Sequence, residues 1–270
     1  LLGEFTNIVP NTVISRLTGI PPAGDDEVRF RQLAQSVIAG FLPFTPPDVK
    51  QKANDSFIEL SDWVREMCGK RRARPEDDLV SDLLQAQDAD DRLTEDDVVM
   101  LISGIVAAGS ETTALGGMAL IATLLNHPEP LARLRADRSI MPKAVNEIIR
   151  FAFGGPAGLP RYAVRDFELR GKPIKKGQML MLSFGGANRD PAIYDKPDEI
   201  DFDRDNRELI TFGQGPHFCL GANLARQEMG SMLDALLDIV TPGSSIVQEA
   251  MEFQDSGMFK RPLNLPVAIA

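Results

Sequence analysis

The spacing of apolar residues divides this 270-residue chain into three stretches of different character. Up to about residue 150, apolar positions recur at helical intervals, with punctuation at GIPPAGDD (19–26), FLPFTPPD (41–48) and KRRARPEDD (70–78). The pattern predicts a series of packed helices. The most regular of them begins at Thr94, which can cap, with Asp97 three residues on and acidic residues filling the first turn. It extends to about Asn126, on the order of 45 Å at ~1.5 Å per residue, and is apolar all round. A central, buried helix is expected; Ser103 and Glu111 interrupt its apolar run and argue against a membrane span.

The middle stretch changes period. RYAVRDFELRGKPIKKGQMLMLSF (161–184) alternates in part and carries a turn at Arg170 to Lys172, which predicts a small antiparallel sheet. ANRDPAIYDKPDEIDFDRDNREL (187–209) is acidic, proline-bearing and irregular. The third stretch, ANLARQEMGSMLDALLDIV (222–240), returns to helical spacing and ends at Thr241, Pro242 and Gly243. The fold class is therefore mainly α with a small β region. The run Lys70, Arg71, Arg72 and Arg74 precedes Pro75, Glu76, Asp77 and Asp78, which cancel most of its field; a solvated turn is expected there.

Composition narrows the choice of partners. Apolar and charged fractions of 43% and 25% are those of a globular protein, and a net charge of -10 argues against nucleic acid or an anionic membrane. The two cysteines, Cys68 and Cys219, lie far apart in a chain too large to need a disulfide staple, so a reducing compartment, the cytoplasm, is expected. The chain begins at Leu1 in what already reads as the middle of a helix, so an N-terminal portion is expected to be missing.

Chemistry concentrates at TFGQGPHFCLGANLARQE (211–228). Gly213, Gly215 and Gly221 surround Cys219, Pro216 removes a backbone donor, and an apolar helix follows at once. The sulfur is placed near the positive end of a helix dipole, which favours a thiolate, and the glycines let a flat ligand approach the backbone. Zinc would need further ligands, and Cys68, His127 and His217 have none of the paired spacings zinc uses. His217, two residues away in a tight turn, is poorly placed as base for a cysteine nucleophile. A single axial thiolate fits better.

FGQGPHFCLG (212–221) resembles the haem-binding loop of the cytochrome P450 monooxygenases, and two further motifs occur in that family's order. AAGSETT (107–113) is similar to the oxygen-activating stretch of its long central helix, and EIIR (147–150) to its Glu-x-x-Arg pair. The likeness extends to ANRDP, the acidic segment and the C-terminal FKRPLNLPV, of a bacterial soluble type, and implies a cytochrome P450 fold over 1–270 with the family's first helices absent.

The resemblance implies haem b held between the central helix and the loop, with Cys219 as iron ligand and Gly213 and Gly221 shaping its turn. A thiolate ligand favours O–O cleavage. Phe212 would pack beside the sulfur and exclude water. His217 and Arg161 would pair with the propionates. In the central helix, Gly109 and a Thr112 hydroxyl bonded one turn back make a local widening inexpensive, giving room for dioxygen. Glu111 and Thr112 would relay protons. Glu147, Arg150 and Arg204 are assigned to structure. His127 is expected in a loop, and Cys68 packed or partly exposed near a helix end.

The expected activity is monooxygenation of a small, largely apolar organic substrate, partly lined by residues near Ala157 and Leu159. Electrons would come from NAD(P)H through a reductase and a ferredoxin-like carrier docking near Arg226, and the protein would be a monomer. A haem-binding scaffold without turnover is the rival expectation, and peroxide-driven oxidation a third.

Overall fold

The computed structural model describes all residues except 1–4, 21–24, 42–44, 91–92, 153–157 and 256–259. Ala157 and parts of the punctuating segments GIPPAGDD and FLPFTPPD thus lie outside the described residues. The chain forms two compact units. One comprises Leu1–Met118 with Val247–Pro266, the other Ala119–Ile246 with Val267–Ala270.

The first unit is helical because its apolar residues recur one turn apart. Its helices are α1 (Ile8–Thr18), α2 (Asp25–Ala39), α3 (Pro47–Ala73), α4 (Leu79–Asp90) and most of α5 (Glu95–Leu125). In α3 the positions Ala53, Ser56, Leu60, Val64, Met67 and Cys68 are buried, one stripe of three- and four-residue steps. Leu60, Val64, Met67 and Cys68 join Ile14, Phe30, Val80, Leu84, Val98, Ile102 and Val106 in one core, where the Phe30 and Trp63 rings meet at 5.4 Å. A hairpin of β6 (Phe253–Asp255) and β7 (Lys260–Pro262) completes the unit.

The basic run differs from the expected solvated turn. Lys70, Arg71 and Arg72 form the last turn of α3, where positive charge suits the helix dipole. Arg71 turns inward to pair with the Asp78 carboxylate, and its Nη2 donates to the Gly19 carbonyl at 3.0 Å. Asp78 also receives the Ser81 amide at 2.8 Å at the start of α4. The arginine thus ties α1, α3 and α4 together.

The start of α5 is the reciprocal cap its sequence predicts. The Thr94 hydroxyl accepts the Asp97 amide at 3.1 Å, and the Asp97 carboxylate accepts the Thr94 amide at 2.8 Å. By length and composition this helix is apolar enough to cross a bilayer, but 56% of its most apolar window is buried and it carries a buried Glu111. Those are features of a core helix.

The second unit holds the end of α5, α6 (Pro128–Ala136), α7 (Met141–Ala152), the short α8 (Phe184–Ala187) and α9 (Ala222–Ile239). The helices α7 and α9 pack together, and Ala144, Val145, Ile148, Met229, Leu233 and Leu236 on them are buried. The predicted β region forms two separate antiparallel pairs. β1 (Leu159–Tyr162) pairs with β4 (Met179–Leu182), and β2 (Phe167–Leu169) with β3 (Lys172–Ile174). The two-residue turn Arg170 and Gly171 has φ of 49° and 76°, the left-handed pair that matches strand twist. A further pair, β5 (Ser245–Ile246) with β8 (Val267–Ala268), closes the unit.

Candidate functional site

The cysteine loop is built by its glycines. Gly213 and Gly215 both adopt φ of 74°, a region other residues rarely enter, and so fold 210–218 back on itself. The Gly213 amide donates to Ile210 at 2.8 Å, the Phe218 amide closes a single 3-10 turn onto Gly215 at 2.9 Å, and the Cys219 amide donates to the Phe212 carbonyl at 2.8 Å. Gly221 is the N-cap of α9, and the Ala222 amide donates to the Cys219 carbonyl at 3.2 Å. Cys219 therefore stands just ahead of a helix N-terminus, where amide dipoles favour negative charge.

Cys219 is exposed, whereas Cys68 is fully buried and its thiol is pushed up by that burial. Its neighbours Phe218 and Leu220 are 52% and 81% exposed, so apolar surface flanks the sulfur on both sides. Among the described residues no group of three His, Cys, Asp or Glu side chains could hold a metal ion. One cysteine sulfur beside apolar surface is a poor cage for a bare ion. It suits an iron whose other ligands come with a flat ring that would cover Phe218 and Leu220, so the residues present fit a haem. His217, in the 3-10 turn, is exposed. Arg161 is exposed on β1, its Nη1 on the adjacent Pro160 carbonyl at 2.9 Å.

Behind the loop, Phe212 is half-buried and lies under the Arg226 guanidinium, 4.3 Å from ring centroid to carbon. Arg226, expected near a docking surface for an electron carrier, is half-buried. Its Nε donates to Asn146 Oδ1 at 2.8 Å and its Nη1 to the Ala222 carbonyl at 3.2 Å. Burial pushes its pKa below the ordinary range, while the negative charge of an ionised Cys219 acts in the opposite sense.

Next to Asn146 in α7, Glu147 and Arg150 are both fully buried. Arg150 Nε and Nη2 grip the two carboxylate oxygens at 2.8 and 2.9 Å, and its remaining donors reach the carbonyls of Asn188, Pro197 and Glu199. Glu147 also accepts from the Asp201 amide at 2.9 Å, Arg204 Nε at 3.1 Å and Asn206 Nδ2 at 3.2 Å. Burial alone would raise its pKa, but those bonds, led by Arg150, hold it below the usual carboxylate range. The structural triad expected from the sequence is present, and it is a buried node that shapes the irregular segment.

In the first unit, Thr112 Oγ1 donates to the Ala108 carbonyl at 2.6 Å, the bond expected one turn back. The expected widening is absent: α5 is regular α-helix through 107–113, because Thr112 makes this bond without displacing the helical ladder. Gly104, Ala108 and Thr112 are exposed, whereas Glu111 is 4% exposed. Adjacent helix positions lie ~100° apart, so the acid and the alcohol occupy different environments.

One ionisable group escaped the sequence reading. Glu228 in α9 is 7% exposed, its Oε2 has no partner among the described residues, and burial pushes its pKa up from an ordinary 4.5 to about 7. Its only sequence signal is position, four residues from both Leu224 and Met232 on the apolar arc.

A helical protein presenting one exposed cysteine in this glycine turn has the kind of site expected of a haem-thiolate protein. Residues 30–239 match the cytochrome P450 family, and the chain belongs to it. It is 36% identical over 244 residues to cytochrome P450 CYP107DY1 of Priestia megaterium, covering 88% of this chain and 58% of that protein. It is 34% identical over 270 residues to the mycinamicin IV hydroxylase/epoxidase of Micromonospora griseorubida, covering 99% and 66%. The crystal structure of P450BioI bound to a hexadec-9Z-enoic acid-ligated acyl carrier protein superposes with a TM-score of 0.88 at 28% identity, over 100% of this chain and 68% of that one. The chain spans 58% to 66% of the length of these curated relatives. Haem b is the family's cofactor.

Proposed function

We propose that this chain acts as a haem-thiolate monooxygenase that inserts one atom of dioxygen into a small, largely apolar organic substrate. Electrons come from NAD(P)H through a reductase and a ferredoxin-like carrier, and the protein works as a cytoplasmic monomer. The observation that carries the proposal is the exposed Cys219 in its glycine turn, flanked by exposed Phe218 and Leu220 at the mouth of α9. The similarity to a hydroxylase/epoxidase favours oxygen insertion.

Haem, when bound, supplies the iron at which dioxygen is activated. Cys219 would be its protein ligand, stabilised as a thiolate by the amides that open α9. Phe212 keeps water from the protein side of the sulfur. Arg161 and His217 would neutralise the haem propionates. The Thr112 hydroxyl spends its proton on the Ala108 carbonyl, which leaves its oxygen lone pairs to accept a bond from a proton carrier, and Glu111 supplies an acid group in the same helical turn.

The test is the reduced carbon monoxide spectrum together with NADPH-dependent product formation using surrogate redox partners. The expected result is the red-shifted band of a thiolate-ligated haem, with product. Haem loading without product from either NADPH or peroxide would mean binding without turnover, and product from peroxide alone would mean peroxide-driven oxidation. Thr112→Ala should retain haem but divert electrons to peroxide; unchanged coupling removes the proton-relay role.

A further inference from the structure

Residues 214–221 are exposed throughout, so burial does not hold the cysteine loop in place. Its position is set from Phe212, the half-buried residue whose carbonyl receives the Cys219 amide at 2.8 Å. Wherever the Phe212 peptide sits, the sulfur-bearing residue follows. The Phe212 ring is in turn covered by the Arg226 guanidinium at 4.3 Å, and that guanidinium hangs from Asn146 Oδ1 at 2.8 Å and from the Ala222 carbonyl at 3.2 Å. Asn146 immediately precedes Glu147, the centre of the buried node. A short physical chain therefore runs from that node through Asn146, Arg226 and Phe212 to Cys219.

We propose that Arg226 is a positioning residue for the cysteine loop, clamping the Phe212 ring while anchored to Asn146 of α7. A planar guanidinium stacks on a ring with its face and donates in plane with its edge, both at once. A lysine ammonium is a compact point charge with no plane, so it cannot stack face-on and donate edge-on at the same time. Loss of a half-buried cation from an aromatic face, together with loss of the bond to Asn146, should raise the local opening equilibrium about tenfold. Groups behind a metal-ligating side chain orient it and tune the metal, so the same release is felt at the iron. This last consequence rests on Cys219 being the iron ligand, whereas the clamp itself does not.

The experiment uses the 270-residue chain in two forms. Without haem, hydrogen exchange read by mass spectrometry over 212–221 is compared among wild type, Arg226→Gln, Arg226→Lys and Asn146→Ala. The glutamine and lysine variants should exchange about tenfold faster in this segment, and Asn146→Ala, which keeps the arginine and guards against a misfolded Arg226 variant, severalfold faster. Exchange in the second half of α9 should be unchanged. With haem, the Arg226 variants should show a smaller share of the red-shifted reduced carbon monoxide band than wild type. Wild-type exchange in Arg226→Lys would mean that charge alone suffices, and unchanged exchange in the glutamine or alanine variants would mean no clamp; either overturns the proposal, and an undiminished band overturns its consequence at the iron. Failure of the wild-type chain to bind hemin would overturn the proposed function while leaving the exchange result standing.

Discussion

Two parts of the second unit treat charge in opposite ways. The Glu147 and Arg150 node is sealed: both side chains are fully buried, and the carboxylate and guanidinium are met by protein partners on every side. The Cys219 loop is open: the sulfur and its apolar neighbours face outward, and its fixed points are backbone bonds and one stacked ring. A sealed network has no valence left for a ligand and serves rigidity, while an open one is unfinished without a partner. Substitutions should therefore separate the two by what they damage.

The largest effect is expected at the sealed node. Glu147→Ala strips a buried arginine of its counter-charge and leaves the Asp201 amide and Arg204 short of an acceptor, which should destabilise the fold by about 3–5 kcal/mol. Urea unfolding, or simply the yield of folded chain, reads this; a loss under about 1 kcal/mol would mean that the node behaves like an exposed pair. Its pH signature is also fixed in sign. The folded pKa of Glu147 lies below the ordinary 4.5, so its contribution is present above that value and disappears as pH falls through the lower folded value.

Glu228 is the intermediate case, buried like the node but unfinished like the loop. Its folded pKa of about 7 exceeds the ordinary 4.5, so below about pH 4.5 both folded and unfolded chains hold the proton and nothing is lost. As pH rises from there to 7 the unfolded chain ionises first, and stability falls by up to about 3 kcal/mol. Glu228→Gln should remove this decline, being more stable than wild type at pH 8 and similar at pH 4.5. Parallel stability curves for the two proteins would show that the carboxyl finds a partner when ionised.

How far each part was legible follows from the distance over which it is built. The cysteine loop and the α5 cap are made of near neighbours, so residue type and spacing reveal them: Gly213, Gly215 and Cys219 in one case, Thr94 and Asp97 in the other. The Glu147 and Arg150 pair was visible as one helix face, but its burial was not, because the carbonyls of Asn188, Pro197 and Glu199 come from an irregular segment some 40 to 50 residues on. Arg71 was misread for the same reason, since Gly19, one of its acceptors, lies 52 residues away. Arg226 and Glu228 share one helix, yet only tertiary packing half-buries the first and buries the second. The widening inferred from Gly109 and Thr112 failed differently: both residues permit it, and permission alone does not distort a helix whose hydrogen bonds are already made.

The smallest effect on stability should come from the substitution most damaging to function. Cys219→Ser exchanges an exposed sulfur for an exposed oxygen and leaves intact the backbone bonds to Phe212 and Ala222, so urea unfolding of the haem-free chain should move by no more than about 0.5 kcal/mol. In the haem-loaded chain the same change removes the thiolate, and the red-shifted reduced carbon monoxide band should vanish. Stability and ligation are thus separable at the open loop and inseparable at the sealed node. A large stability loss in Cys219→Ser would show the sulfur to be part of the packing, and a retained band would show that another group holds the iron.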